Sequence, residues 1–333
     1  MAGLFTPLTI KGHTLNNRIV LPPMANSMAT ERGEVTDAHI EHYVRRARAG
    51  VGMVIVEHTY IRHDGRANAQ QLGICDDDLI PGLQRLADAV KACGTVTGIQ
   101  ITHAGGKATT GGIGRQPITP SDALVPGATE PARAATKVEI AEIITAFAAA
   151  VRRVVAAGFD FVEIHGAHGY LLSQFLSPLT NLRTDEYGND LNGRLRLPLE
   201  VVRTVRQVVG PDYLLLYRLG ANDYMRDGLT AEDGKAAAIA LVEAGVDLLD
   251  ISGGLCGASL PSWDWVSQGY FVPMAAEIRA AVNAPVVVAG GITAPEFADR
   301  IIREGKVDLV AIGRAMRDNP DWATDAQKVL LTA

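Results

Sequence analysis

Short apolar runs alternate with longer amphipathic segments along the whole sequence, and this repetition limits what the chain can fold into. The runs are Asn17–Leu21, Gly52–Val56, Val96–Thr102, Phe161–His165, Tyr213–Leu219, Asp247–Ile251, Pro285–Ala289 and Asp308–Ile312. Apolar runs this short, bounded by turn residues, suit strands buried on both faces. Helical periodicity fills the intervals, as at Ala38–Ala49, Leu79–Cys93, Lys137–Ala157 and Ala231–Ala244. Several of these segments open on a capping residue: Thr36 or Asp37, Thr230, and Thr293 ahead of Pro295. Several stop at a glycine: Gly50, Gly94, Gly158, Gly245 and Gly305. Strand–helix units in this number imply a parallel sheet covered by helices, and eight strands are enough to close a barrel. An open, doubly wound sheet usually carries a glycine fingerprint after its first strand, where this chain reads PPMANSM. The expected fold is therefore α/β, a (βα)8 TIM barrel, with residues 1–333 forming one domain.

Composition narrows the function classes. With 333 residues, 47% of them hydrophobic, the chain has material for one large core. A formal net charge of −6 argues against a nucleic-acid partner or an acidic membrane surface. No apolar run approaches the ~20 residues that a membrane helix needs. The opening MAGLFTPLTIKGHTLNN lacks a basic stretch followed by a long apolar one, so no signal peptide is expected. Cys75, Cys93 and Cys256 are scattered, with no CxxC pair for zinc or an iron–sulfur cluster. That usage fits a reducing compartment and predicts a cytoplasmic protein.

Two segments exceed ordinary connections. Ala104–Ala135 is rich in Gly, Pro and Thr, without a clear strand or helix, and its length marks it as a lid or binding loop after the third strand. Gly253–Gly269, with Trp263 and Trp265, follows the sixth strand. Both lie on the face where barrel active sites are built. The turns after strands seven and eight read AGGIT and AIGRAM. Glycines there let backbone N–H groups approach an anion, and this is the usual place for a phosphate grip in a barrel. Gly290, Gly291, Gly313 and Arg314 are the expected phosphate ligands, Arg314 supplying a charge-assisted donor.

Strand four ends in EIHGAHGYLLSQFLSPLTNLRTDEYG. A strand stopping near His165 brings His165, His168 and Tyr170 together at the barrel mouth. Two imidazoles can donate hydrogen bonds to a carbonyl oxygen, and a phenol beside them can give up a proton. A metal site with His103 as third ligand competes, but no carboxylate accompanies the pair, and no metal is expected.

The same segment resembles the signature of the Old Yellow Enzyme family, the NADH:flavin oxidoreductases. LFTPLTIKGHTLNNRIVLPPM, GIQITHAGGKA, YRLGANDY, AGGIT and VDLVAIGRAMRDNP follow in the family's order, so the likeness covers nearly the whole chain. The resemblance implies FMN as cofactor, NADPH or NADH as hydride donor, and activated alkenes as substrates. It implies that Gln100 bonds the flavin pyrimidine edge and that Arg218 sits against flavin N1, favouring the reduced ring. Pro23, Met24 and Ala25 would line the ring. His58, at the end of strand two where small residues are frequent, is counted with the cofactor-binding residues. His165 and His168 would grip the substrate carbonyl, with Tyr170 as proton donor, and developing charge would gather on the oxygen they hold. Arg183, Asp185 and Tyr187 are read as structural pins. The family also admits a homo-oligomer.

The chain departs from the pattern at Ala25, where Cys or Thr is common, and at Ser27, where Tyr is common and serine implies a roomier pocket. It ends soon after the eighth helix, so the additional domains and cysteine cluster of some relatives are not expected. Other readings on the same barrel are a flavin-dependent dehydrogenase or demethylase, a flavin protein without turnover, and a flavin-free sugar-phosphate isomerase or aldolase.

Overall fold

The computed structural model describes residues 2–260 and 267–332. Strands β1 (Ile19–Leu21), β2 (Met53–Tyr60), β3 (Val96–Thr102), β4 (Phe161–Gly166), β5 (Leu214–Gly220), β6 (Leu248–Ser252), β7 (Val286–Val288) and β8 (Leu309–Ala311) form a closed barrel. Each strand pairs in parallel with the next, and β8 closes onto β1. Around them run α1 (Asp37–Arg48), α2 (Ile80–Lys91), α3 (Lys137–Ala156), α4 (Leu191–Val209), α5 (Ala231–Glu243), α6 (Val272–Ala281), α7 (Pro295–Arg303) and α8 (Trp322–Thr332). This is the (βα)8 TIM barrel that the repetition predicts, and each anticipated run lies at one of its strands. No described helix is long and apolar enough to cross a membrane.

Two apolar clusters hold it together. The outer one packs helix faces, such as Leu83, Leu86 and Val90 of α2 or Ile143, Phe147 and Val151 of α3, against the strands. The inner one fills the barrel with Val20, Met53, Ile55, Phe161, Leu214, Leu216, Leu248, Val287 and Leu309. Because strand side chains alternate faces, each strand serves both clusters and must be apolar on both. A hairpin, Leu8–Ile10 with His13–Leu15, adds Ile10 and Leu15 to the inner cluster. Its two-residue turn, Lys11 (φ +46°) and Gly12 (φ +79°), has the left-handed pair that twisted hairpins favour.

Helix ends follow their local chemistry. Thr230 caps α5 by accepting from Asp233 N–H, and Thr36 is the N-cap residue of α1. Thr293 does not cap α7; Ala294 holds that place, and the Thr293 carbonyl accepts from the Trp322 indole instead. Pro295 at the first turn needs no donor of its own, so the helix starts without a side-chain cap.

Three sequence expectations need correction or bounding. Strand β2 runs beyond Val56 to Tyr60, so His58 lies within it rather than at its end. Residues 104–135 are not bare loop: they hold a short helix at Thr110–Ile113 and a parallel pair, Ile118–Thr119 with Arg133–Ala134. These elements are shorter than any periodicity can reveal. Arg183 pins the segment by donating to the carbonyls of Pro120 and Ala135 while paired with Asp185. Trp263 and Trp265 lie outside the described residues.

Candidate active site

A cavity of about 700 Å³ opens at the C-terminal ends of the strands, within the range that accommodates a cofactor or substrate. Its construction follows from the inward positions of each strand. They are apolar low in the barrel and polar at the top: Phe161, Glu163, His165 on β4; Leu214, Leu216, Arg218 on β5; Leu248, Asp250, Ser252 on β6. Parallel pairing sets His165 beside Arg218 and Arg218 beside Asp250, while Gln100 pairs with Glu163 one layer lower.

Pro23, Met24, Ala25, His58, His165, His168, Tyr170 and Arg218 line this cavity, and so do Gly290, Gly291, Gly313 and Arg314. Gln100 does not. It lies fully buried beneath, its Nε2 donating to Glu163 at 2.7 Å and its Oε1 without a partner among the described residues. Ser27 also stands away from the lining.

His165, His168 and Tyr170 converge. The imidazole centroids are 5.1 Å apart, and the phenol ring is 4.9 Å from that of His165. The chain makes this turn through His168 (φ +58°) and Gly169 (φ +70°), and left-handed backbone at a non-glycine residue costs about 1–3 kcal/mol. Lys107 Nζ holds the turn by donating to the His168 carbonyl at 2.7 Å, and His168 N–H donates to Gly253. His165 Nδ1 accepts from Ala167 N–H at 3.3 Å, so the neutral ring carries its proton on Nε2. His168 Nε2 lies 2.7 Å from Ser252 Oγ. Burial, the neighbouring imidazole and the Arg218 and Lys107 charges hold the His165 pKa well below its ordinary value. The His168 pKa is lowered likewise, by burial and then Arg218. Burial raises the Tyr170 phenol, which keeps its proton at neutral pH.

His103, which a metal reading requires as third ligand, turns away. Its Nδ1 accepts from Gly105 N–H, and its Nε2 lies 3.5 Å from Asp64. Among the described residues one His, Cys and Asp group is close enough to share an ion, His63, Cys75 and Asp76, and it is not part of the cavity.

At the opposite side, Gly290 (φ +130°) takes a conformation open only to glycine, and a Cβ on Gly313 would come within 3.0 Å of Met24 Sδ. Arg314 is positioned by donating to Tyr270 Oη at 2.9 Å. This end combines close backbone approach with a guanidinium, the chemistry of a phosphate site.

Several residues of the site escape the sequence reading. Lys107 and Ser252 brace the histidine turn, and Tyr270 braces Arg314. Glu163 and Asp250 lie buried around Arg218, whose Nε stands 3.2 Å from Asp250. Burial and Asp250 raise Glu163 well above the carboxylate range, and burial raises Asp250 to about 6. Lys107 stands in the quoted run GIQITHAGGKA, and nothing in its spacing distinguishes it from a surface lysine.

The sequence pattern of the NADH:flavin oxidoreductase / NADH oxidase family matches residues 3–332. The chain belongs to that family. It is 43% identical to an NADPH dehydrogenase from a Geobacillus species, over 99% of this chain and 95% of that one. It is 42% identical to an NADH oxidase of Thermoanaerobacter brockii, covering 98% of itself but spanning only 51% of that longer protein. Among solved structures, an Old Yellow Enzyme homologue from Zymomonas mobilis superposes with a TM-score of 0.86 at 27% identity, over 99% of this chain and 93% of that one. The protein is thus an Old Yellow Enzyme-like NAD(P)H:flavin oxidoreductase, with FMN as cofactor. The cavity lining combines glycines and Arg314 at one end, a cation at Arg218 and an apolar wall of Pro23, Met24 and Ala25.

Proposed function

We propose that the protein is an ene-reductase, reducing activated carbon–carbon double bonds conjugated to a carbonyl-type group. The observation that carries this is the convergence of two neutral imidazoles and a protonated phenol on one wall of the cavity. FMN, when bound, supplies the hydride, taken from NADPH or NADH and delivered to the β-carbon. Gly290, Gly291, Gly313 and Arg314 would hold its phosphate, Arg218 would meet its pyrimidine side, and Pro23, Met24 and Ala25 would line its ring. Gln100 acts from beneath through its unpartnered Oε1.

His165 Nε2–H and a donor on His168 hold the substrate oxygen. His168 Nε2 shares a hydrogen bond with Ser252 Oγ, which fixes the orientation of the ring. Both hydrogen bonds draw electron density from the alkene and strengthen as negative charge reaches the oxygen. Tyr170 delivers the proton to the α-carbon; burial raises its pKa, so the phenol carries its proton at neutral pH. A dehydrogenase or demethylase would not use that proton donor. Residues 1–333 act as one FMN-binding domain in the cytoplasm. Anaerobic stopped-flow is the test: NAD(P)H should bleach the flavin, and 2-cyclohexenone or a maleimide should restore it. Reoxidation by oxygen alone, with no alkene consumed, overturns the reading.

A further inference from the structure

Strand β2 does not pair regularly with β3. Val56 sits opposite Ile99 and Thr59 opposite Ile101, so Glu57 and His58 together face the single residue Gln100. Such a bulge breaks simple alternation and re-aims side chains, often beside active sites. Here it sends the two neighbours apart. Glu57 reaches α1, its carboxylate 3.0 Å from His39 Nε2 and its backbone N–H donating to Tyr43 Oη at 2.8 Å. His58 lines the cavity, its ring 5.5 Å from that of Tyr170 and 6.5 Å from that of His165.

The orientation of the ring proton follows from its partners. Ala67 N–H donates to Gln71 Oε1 at 2.7 Å, a bond that only the amide oxygen can accept. The Gln71 Nε2 end therefore meets His58, donating to its Nδ1 and to its backbone carbonyl at 3.0 Å. Nδ1 is thus an acceptor, and the neutral ring carries hydrogen on Nε2. Burial is the main cause that keeps the ring neutral, opposed by Glu57 and aided by Arg218. The residue lines the cavity, and its side-chain partner meets Nδ1, leaving Nε2 with no hydrogen-bond partner among the described residues. A donor that opens on the cavity without a protein partner is placed to meet an acceptor on a bound ligand.

We infer that His58 is a specificity-determining residue, its Nε2–H binding a second acceptor oxygen of the substrate. The inference rests on the ene-reductase reading and deepens it: preferred substrates are alkenes with a carbonyl at each end, such as maleimides and 2-ene-1,4-diones. One carbonyl meets His165 and His168, and the other meets His58. A site built to hydrogen-bond a substrate group discriminates strongly against analogues that lack it.

The test compares N-ethylmaleimide with 2-cyclohexenone in wild type, His58→Leu and His58→Gln, each checked for FMN content by absorbance. His58→Leu should lower kcat/KM for the maleimide about 10–100-fold more than for the enone. His58→Gln, which keeps a terminal N–H donor, should recover part of the loss. Binding gives a readout that needs no turnover. Wild type should bind 4-hydroxybenzaldehyde more tightly than phenol, read from long-wavelength absorption of the oxidised holoenzyme, and His58→Leu should narrow the difference to what the greater acidity of the aldehyde's phenol leaves. Equal losses for both alkenes, or an unchanged preference between the two phenols, overturn the role of His58. Failure of wild type to reduce either alkene overturns the ene-reductase reading instead, and the phenol titration still decides whether His58 recognises a second oxygen.

Discussion

Ser252 Oγ lies 2.7 Å from His168 Nε2, joining the end of β6 to the turn that follows β4. The contact matters because His168 sits in left-handed backbone, on a turn also held by Lys107, and needs its ring oriented as well as placed. Ser252 thus helps to orient the His168 ring.

Ser252→Ala should leave FMN bound and the barrel folded, since the hydroxyl bonds the His168 ring and not the glycines or Arg314 at the other end of the cavity. Loss of one such hydrogen bond is worth about 0.5–1.5 kcal/mol, so phenol affinity should fall about 3–10-fold. Titrating the charge-transfer absorption measures it. An unchanged dissociation constant would show that Ser252 does not orient the ring.

Tyr170→Phe should spare flavin reduction by NAD(P)H and slow alkene reduction about 10²–10⁴-fold, the usual cost of removing a general acid. Single-turnover stopped-flow separates the two half-reactions. If both slow alike, the phenol positions ligands rather than donating a proton.

Acid should destabilise the protein from about pH 6.5 downward. His165 is neutral in the fold, its pKa far below 6.5, so its contribution is complete above pH 6.5. As pH falls below that value the unfolded chain takes up the proton first, and stability drops by about 1.4 kcal/mol per pH unit. His42, lowered to about 4, adds to the drop until it protonates in the fold. Asp250, raised to about 6, works oppositely, its share being lost as pH rises through 6. The observable is the melting temperature against pH. His165→Gln should flatten the slope between pH 6.5 and 5, and parallel profiles would refute the assignment.

Arg314→Ala should weaken FMN binding about 10–100-fold, because a hydrogen bond to a charged group is worth about 1.5–3 kcal/mol. Reconstitution of apoprotein, followed by flavin fluorescence quenching, gives the affinity. Riboflavin, which lacks the phosphate, should bind wild type and variant equally. A matching loss for riboflavin would place Arg314 away from the phosphate.

Much of this protein was legible before any coordinates. Short apolar runs at regular intervals, helices stopping at residues such as Gly158 (φ +77°) and Gly245 (φ +115°), and the ordered motifs determine the barrel and the surroundings of His165, His168 and Tyr170. These are local signals, since a strand, a cap or a turn depends on residues a few places apart. Lys107 on the His168 carbonyl, Ser252 on its ring, Tyr270 under Arg314 and Gln71 behind His58 are pairings across 61, 84, 44 and 13 positions. No periodicity encodes such partners; closure of the barrel chooses them. The bulge in β2 shows the same division. His58 reads as the end of a strand, but pairing with β3 carries the strand on to Tyr60, with Glu57 turned to a helix and His58 to the cavity. Side-chain direction at a bulge depends on the register of the neighbouring strand, and only the tertiary structure supplies that register.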